Sequence, residues 1–565
     1  MTKYEVAWAL NEIADLLEIK GEENIKVAEY RKVADYLIKL DTDFETFLEQ
    51  CKYKQYKDIN RTRTNMEVFK EAGRINRSGN SSILKRLRSE IPYDLQKMLQ
   101  IPGLDAKLIS TFQKELGISA FRELEQAAKD RKIRLLPGMG SKTELTILRG
   151  IDLINNPPKE FPLGVAMSYA KNFCSILRSL PHVNKVAISG DLRRGLEMVE
   201  EIILLVESPR STSVTETMVK HPLVKKVLSK NKDMTLLLTK INLPLIIKYA
   251  GGNYYLALHT STGPSSFVEK FQQIYDKNVS KNPVEYIDEK EIYRDACIQY
   301  IPPELRDTEN IIEIAQKYDI PSLVQLKDIK GDLHLHSNWS DGVNGINELV
   351  NTGMKKGYEY IAITDHSKSL AIARGLSEDQ VHKQHAIISD LNAQLNDFKV
   401  FTGIEVDILK DGQLDYDDDL LCSCDVVIAS VHNNLRQDEE TITGRIEMCL
   451  KNPHVDILAH PTGRILGRRS STLVNMERIF SLAEKTGTAL EINSSPDRLD
   501  LSSEHVKLSQ QFNIPIVINT DAHASKELCY IEYGVANARR GWLTKEKVIN
   551  TKGKKEMEKW LIRRK

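Results

Sequence analysis

The chain has 565 residues, 41% hydrophobic and 28% charged, with 79 basic and 79 acidic side chains. That length exceeds what one hydrophobic core organises, so three or four domains are expected. The composition excludes a disordered chain, and no apolar run reaches the roughly 18 residues of a membrane-spanning helix, so no membrane partner is expected.

The amino terminus, MTKYEVAWALNEIADLL, carries acids within its apolar stretch and reads as an amphipathic helix, not a signal peptide. Seven irregularly spaced cysteines point to a reducing compartment and a cytoplasmic location. Apolar residues recur at helical spacing in Val6, Leu10, Ile13, Leu16 and Leu17, and again in Val33, Tyr36, Leu37 and Leu40. The neutral total hides an asymmetry. Residues 1–50 hold 6 Lys/Arg against 12 Asp/Glu, whereas residues 51–150 hold 21 against 11. A basic segment of that size can follow a phosphate backbone.

Two short segments in this region share a pattern. LQIPGLDAKL contains Pro102 and Gly103; LLPGMGSKTEL contains Pro137, Gly138 and Gly140. A hydrophobic residue, a Pro-Gly turn and a new helix suggest helix–hairpin–helix units, whose glycines let amides approach a DNA phosphate closely. The first copy has Asp105 where a second glycine is expected, which weakens its claim on anions.

From about residue 160 apolar strands take over: KVAISG (185–190), EIILLV (201–206), DMTLLL (233–238) and LPLIIKYA (243–250), with helical stretches between. After YIPPELRD (300–307) and a short helix, a third region begins near Lys327. Its strands are IAITDH, VFTGIEVDIL, VVIASVH, DILAHP, TALEINSS and IPIVINTDAH. Repeated strand–helix units imply a parallel sheet or barrel with its chemistry at the carboxyl ends of the strands.

Polar residues stand at those ends. GDLHLHSNWSDG supplies His334, His336 and Asp341; ITDHS supplies Asp365 and His366, GIEVDI Glu405, ASVHN His432, AHPTG His460, and NTDAH Asp521 and His523. On a strand, residues i and i+2 face one way, so His334 and His336 can ligate neighbouring ions. Imidazole with carboxylate suits manganese, zinc or iron. Such ions neutralise a phosphodiester's charge in the transition state and acidify water, so no side-chain nucleophile is required. Arg464, Arg468 and Arg469 follow AHPTG and are candidates for holding substrate phosphates.

The ordered set HLHSxWSDG, ITDHS, GIEVDI, ASVH, AHPTG and NTDAH resembles a polymerase-and-histidinol-phosphatase (PHP) domain. Together with the hairpins, the α/β module and YIPPELR, the whole chain resembles the bacterial family X DNA polymerases. The resemblance implies a helical DNA-binding domain over 1–95 and helix–hairpin–helix fingers over 96–155. It further implies a polymerase-beta-like nucleotidyltransferase palm over 156–240, a thumb-like region and linker over 241–315, and a distorted (β/α)7 PHP barrel over 327–565. It implies up to three ions, manganese above all, held by His334, His336, Asp341, His366, Glu405, His432, His460, Asp521 and His523. The activity implied is a 3′–5′ exonuclease in DNA repair, acting on the 3′ ends of gapped or nicked DNA.

The palm departs from that family. In SGDLRRGLEMVEEIILLV, Arg193 and Arg194 match its paired arginines, but Asp191 replaces a serine and Glu200 a glycine. Glu201 and Ile203 take two aspartate positions, and Ile246 aligns with the third. STGPSSF keeps Thr262 and Gly263 of a nucleotide-binding turn and has Pro264 for its serine. Isoleucine cannot ligate magnesium, and two-metal transfer needs carboxylates, so polymerisation is expected to be lost. KDINRTRTN (57–65) also departs from the family's glycine-rich hairpin, and with it the 5′-phosphate pocket. The expected activity is thus exonuclease or 3′-end processing. The alternatives are a working gap-filling polymerase with an editing domain and a small-molecule phosphatase of the PHP type.

Overall fold

The computed structural model describes residues 1–22, 24–40, 63–101, 103–137, 139–279 and 285–562. Among the described residues, eight helices build the front: α1 (Lys3–Lys20), α2 (Asn24–Lys39), α3 (Arg63–Ser78), α4 (Ser82–Glu90), α5 (Tyr93–Met98), α6 (Ala106–Leu116), α7 (Phe121–Lys129) and α8 (Ser141–Asn155). The spacing read from the sequence is the reason α1 packs: Val6, Leu10, Ile13, Leu16 and Leu17 are all buried in one core with Val33 and Leu37 of α2. A capping box between Thr2 and Glu5 starts α1, and Gly21 at φ +81° ends it.

The two hairpins differ in detail. Gly103 sits at φ +85°, and a Cβ there would stand 2.8 Å from Thr146 of α8. Asp105 turns its carboxylate onto the Leu108 amide at 2.8 Å and caps α6 itself. The first hairpin's amide end is therefore already satisfied by an anion from within the chain. Pro102 and Gly138 lie outside the described residues, and KDINRTRTN falls outside those whose side chains are described.

Helix α9 (Leu163–Ser179) covers a five-stranded sheet of order β2–β4–β7–β6–β5. Its strands are β2 (Lys185–Ser189), β4 (Ile202–Glu207), β5 (Val224–Lys230), β6 (Met234–Thr239) and β7 (Pro244–Tyr249); the short β1 (Phe161–Pro162) and β3 (Met198–Val199) pair beside it. β5, VKKVLSK, is a strand the sequence pattern did not reveal. It is an exposed, lysine-bearing edge with little apolar alternation, the form edge strands take to resist further pairing. Helices Tyr254–Thr262, Ser265–Asn278 and Glu289–Asp295 follow, and Phe267, Phe271 and Tyr293 lie in the core behind them.

The remaining strands form a seven-stranded parallel sheet in chain order: β8 (Gly331–Asp332), β9 (Tyr360–Ile363), β10 (Lys399–Asp407), β11 (Val426–Ser430), β12 (Ile457–Leu458), β13 (Ala489–Asn493) and β14 (Ile516–Asn519). A bridge between Leu335 and Ala522 nearly closes it into a (β/α)7 barrel. Alternation along each strand places the chemistry. On β10 one face runs Phe401, Gly403, Glu405, Asp407; on β13 it runs Ala489, Glu491, Asn493. Phe401 and Ala489 join Tyr360, Val426, Ile457 and Val517 in an inner core closed by Met557 and Leu561 of the last helix. The acids at the carboxyl ends of those faces form the barrel's mouth. One expectation is corrected: β8 ends at Asp332, so His334 and His336 follow the strand, although their rings still lie 5.1 Å apart. The Leu335–Ala522 bridge keeps the His-Leu-His segment extended, which preserves the shared facing.

Candidate metal centre

Nine of the histidines and carboxylates singled out at the strand ends converge on the barrel mouth; Asp365 instead bonds Ser337 and Gln384 behind it. Glu405, buried at the end of β10, is the hub. Its Oε2 lies 2.8 Å from His366 Nδ1 and 3.5 Å from the Nε2 atoms of His334 and His336. Its Oε1 lies 3.1 Å from His460 Nε2 and 3.3 Å from His432 Nε2. Asp521 Oδ1 stands 3.2 Å from His336 Nε2, and Asp341 Oδ1 is 3.2 Å from His523 Nε2. Three groups of side chains have ligand atoms close enough to share an ion: His336, Asp341, His366 and His523; His334, His336 and Asp521; His366, Glu405 and His432.

The donor atoms fit divalent ions. His334 Nε2, both ring nitrogens of His336 and Glu405 Oε2 are fully buried, yet they make no hydrogen bond. Buried polar atoms left without such bonds cost free energy, and donors arranged around a cation resolve that cost. Two of these candidate ligands also sit in left-handed backbone, His460 at φ +29° and Asp521 at φ +51°. Strain of that kind is tolerated where a site must aim a side chain.

Two carboxylates behind the ligands escaped the sequence reading. Glu491 Oε1 accepts from His334 Nδ1 at 2.7 Å, and Asp407 Oδ1 accepts from His432 Nδ1 at 2.7 Å. Each fixes the tautomer that turns Nε2 into the centre. A signal existed for both. Asp407 is two residues beyond Glu405 on one strand face, and Glu491 is a lone acid within an apolar strand. Asp365 accepts from Ser337 Oγ at 2.6 Å and Gln384 Nε2 at 2.7 Å, and so holds the turn leading to Asp341.

Burial presses the His432 imidazole toward neutrality, but Glu405 and Asp407 outweigh it and carry its pKa up to about 10. His334 is likewise driven well up against its burial by Glu491, Glu405 and Asp521. His336 goes the other way, held down by burial and by His523 and His366. Glu405, despite burial, is held far below the usual carboxylate range by the surrounding imidazoles.

The arginines after AHPTG are placed differently from expectation. Arg464 forks onto Glu197 near β3 at 2.7 and 2.9 Å and donates to the Arg498 carbonyl at 2.9 Å. Its fork thus joins the barrel to the palm and does not face phosphate. Arg468 donates to the Leu145 carbonyl at 3.3 Å, and Arg469 to the Gly463 carbonyl at 2.8 Å, with its side chain at the surface. A cation that does stand beside the cluster is Arg498, whose Nε is 3.7 Å from Asp521 Oδ2. Nothing in the sequence pattern distinguished it.

Comparison with known proteins agrees with this site. A family model described as PHP domain matches residues 332–495, and one described as helix-hairpin-helix domain matches residues 1–60. The protein named DNA polymerase/3'-5' exonuclease PolX of Bacillus subtilis (strain 168) is 35% identical, covering 100% of both chains. The chain belongs to the family X DNA polymerases that carry a PHP domain. Proteins named probable phosphatase, from Thermoanaerobacter sp. (strain X514) and Syntrophotalea carbinolica, are 27% and 26% identical; each covers 39% of this chain and 89% or 90% of its own length. PHP domains are metal-dependent, and the cluster at the barrel mouth could bind metal.

The five-stranded sheet shows what stands where the family resemblance expects the palm's aspartates. Ile203 of β4 and Ile246 of β7 are direct neighbours in a parallel pair, with Lys248 two residues on. Ile203 and Lys248 line a cavity of about 410 Å³ together with Asp191, Arg194 and Ser261. The short helix α10 (Gly190–Arg194) carries the paired arginines, and both are engaged. Arg193 binds Glu289 at 2.7 Å and Thr262 Oγ1 at 2.7 Å. Arg194 binds Asp191 at 2.7 Å, Asp307 at 3.0 Å and the Thr262 carbonyl at 2.6 Å. Glu201, the one acid left at the aspartate positions, has its pKa raised by burial and then by Asp191. Gly190 adopts φ +60°, and a Cβ there would meet Ile203 at 2.8 Å.

Proposed function

We propose that this member of the family acts on DNA mainly through its PHP centre, as a metal-dependent 3′–5′ exonuclease or 3′-end-processing phosphodiesterase in DNA repair, with nucleotidyl transfer lost. The observation that carries the reading is a contrast. Nine donors converge at the barrel mouth, whereas the palm shows Ile203 beside Ile246 with Lys248 on the same face. A lysine and two isoleucines repel and cannot ligate the magnesium pair that transfer requires.

His334, His336, Asp341, His366, Glu405, His432, His460, Asp521 and His523 would hold the ions, manganese first by the mixed imidazole–carboxylate set. Bound there, divalent ions would neutralise the scissile phosphate and acidify water. The chain's own residues do the rest. Glu491 and Asp407 hold His334 and His432 in one tautomer, and Asp365 braces the Asp341 turn. Arg498, beside Asp521, offers a guanidinium to a phosphate oxygen. The front half, with its helix-hairpin-helix match and basic 51–150 segment, supplies DNA affinity.

The test uses purified protein, a labelled primer–template, manganese and dNTPs, beside Asp521→Ala and Glu201→Ala variants. Primer shortening that disappears in Asp521→Ala supports the reading. The full-length likeness to a relative named a polymerase favours the second reading, a gap-filling enzyme. Template-directed extension that disappears in Glu201→Ala would establish it. Release of phosphate from small monoesters with the primer left intact would point instead to a phosphatase.

A further inference from the structure

Helix α8 begins at the second hairpin and touches the loops that carry Asp341 and Asp497. Gly140, its N-cap, is packed so closely that a Cβ there would stand 2.8 Å from the main-chain oxygen of Asp341. Its backbone, at φ −129° and ψ −173°, is extended and open to any residue. The glycine is therefore required by the approach to Asp341 and not by its own conformation. Nine residues along, about 13 Å of helix, Arg149 forms an ion pair with Asp497. Arg149 is largely buried, and burial, then Arg468, lowers its pKa to about 10, so it stays charged at neutral pH. Between these points the Leu145 carbonyl accepts from Arg468. Just before the helix, Arg134 is held by Glu144 at 2.9 Å and donates to the Ile372 carbonyl at 3.3 Å.

The loops that α8 touches carry the centre. Asp341 stands 3.2 Å from His523 Nε2 and 3.5 Å from His366 Nε2. Asp497 precedes Arg498, whose guanidinium faces Asp521. Resting on the proposed metal-dependent activity of this site, we propose that α8 is a positioning element of the nuclease centre: Gly140 and Arg149 hold the Asp341 and Asp497–Arg498 loops at the spacing the ions need. The hairpin glycine that the sequence assigns to a DNA phosphate is thereby used, at Gly140, to seat the front half on the PHP domain. DNA-handling helices and metal ligands then form one unit.

The experiment titrates manganese into the full-length protein by calorimetry and measures turnover of bis(p-nitrophenyl) phosphate, a small diester that needs no DNA grip. Gly140→Ala, whose methyl must displace Asp341, is expected to weaken manganese binding and raise the manganese needed for half-maximal turnover, each about tenfold, as for other residues that orient ligands. Arg149→Asp and Asp497→Arg are each expected to lower small-diester turnover, and the double exchange to restore it. The exchange keeps the idea testable if Gly140→Ala does not fold. Manganese affinity and small-diester turnover equal to wild type in these variants, with only DNA cleavage reduced, would overturn the proposal. Wild-type protein that binds manganese and cleaves the small diester but leaves primers intact would sink the DNA reading alone.

Discussion

The barrel mouth and the palm face are built by one device and have reached opposite states. In both, alternate residues at strand ends share a face, so a few substitutions decide whether that face holds cations. At the barrel mouth, the strand faces that carry Phe401 and Ala489 run on to Glu405, Asp407 and Glu491, and imidazoles fill the space between. In the palm the equivalent edge carries Ile203 and Ile246, and the arginine pair is neutralised by Glu289, Asp191 and Asp307. The palm sheet keeps its form without carboxylates on this face, because a sheet is stabilised by burial and ladder bonds and not by groups that hold metals.

Experiments can break or sharpen this contrast. The largest effect is expected for Glu405→Ala, which removes the carboxylate shared by five histidines; primer shortening should fall by more than about a hundredfold, since even residues behind metal ligands cost about 10- to 100-fold. A variant within a few-fold of wild type in a manganese-dependent exonuclease assay would show that Glu405 is not the hub. Next, Glu491→Gln should weaken manganese binding by about 10-fold or more while melting near wild type, because Gln keeps an acceptor for His334. Arg464→Met, read by thermal melting, should cost about 3 kcal/mol, since it leaves Glu197 mostly buried without its fork. Stability unchanged in that variant would detach the palm from the barrel.

A smaller effect is expected with pH. His221 is buried against Trp8 and Phe173, and burial, then Lys240, lowers its pKa to about 4. The unfolded chain, near 6.5, takes up that proton first, so its contribution to stability is present above pH 6.5 and lost as pH falls toward 4. His221→Asn, with melting followed across that window, should flatten this part of the pH dependence. The smallest expected effect is none: Glu201→Ala should leave extension at background, and any extension it removes would restore the palm to an active site.

Much of this was legible in the chain alone. Helical spacing placed α1 and α2, strand alternation placed the barrel, and each ligand group stood directly after an apolar run. What stayed hidden had physical reasons. β5 is exposed and lysine-rich, so hydrophobic patterning could not mark it. Arg464 follows a ligand motif just as Arg468 and Arg469 do, and only the position of Glu197 decides that its fork is taken. Arg498 lies in a turn with no pattern of its own, yet it is the cation facing Asp521.

By itself, then, the sequence determined the types and order of the candidate metal-binding side chains and the apolar residues on the palm face, because chemistry follows residue identity and strand period is local. Only the tertiary structure decided who meets whom across the domains. Gly140 against Asp341, Arg149 against Asp497 and Arg464 against Glu197 join residues roughly 200 to 350 positions apart, and such contacts depend on how whole layers pack, which no local pattern encodes.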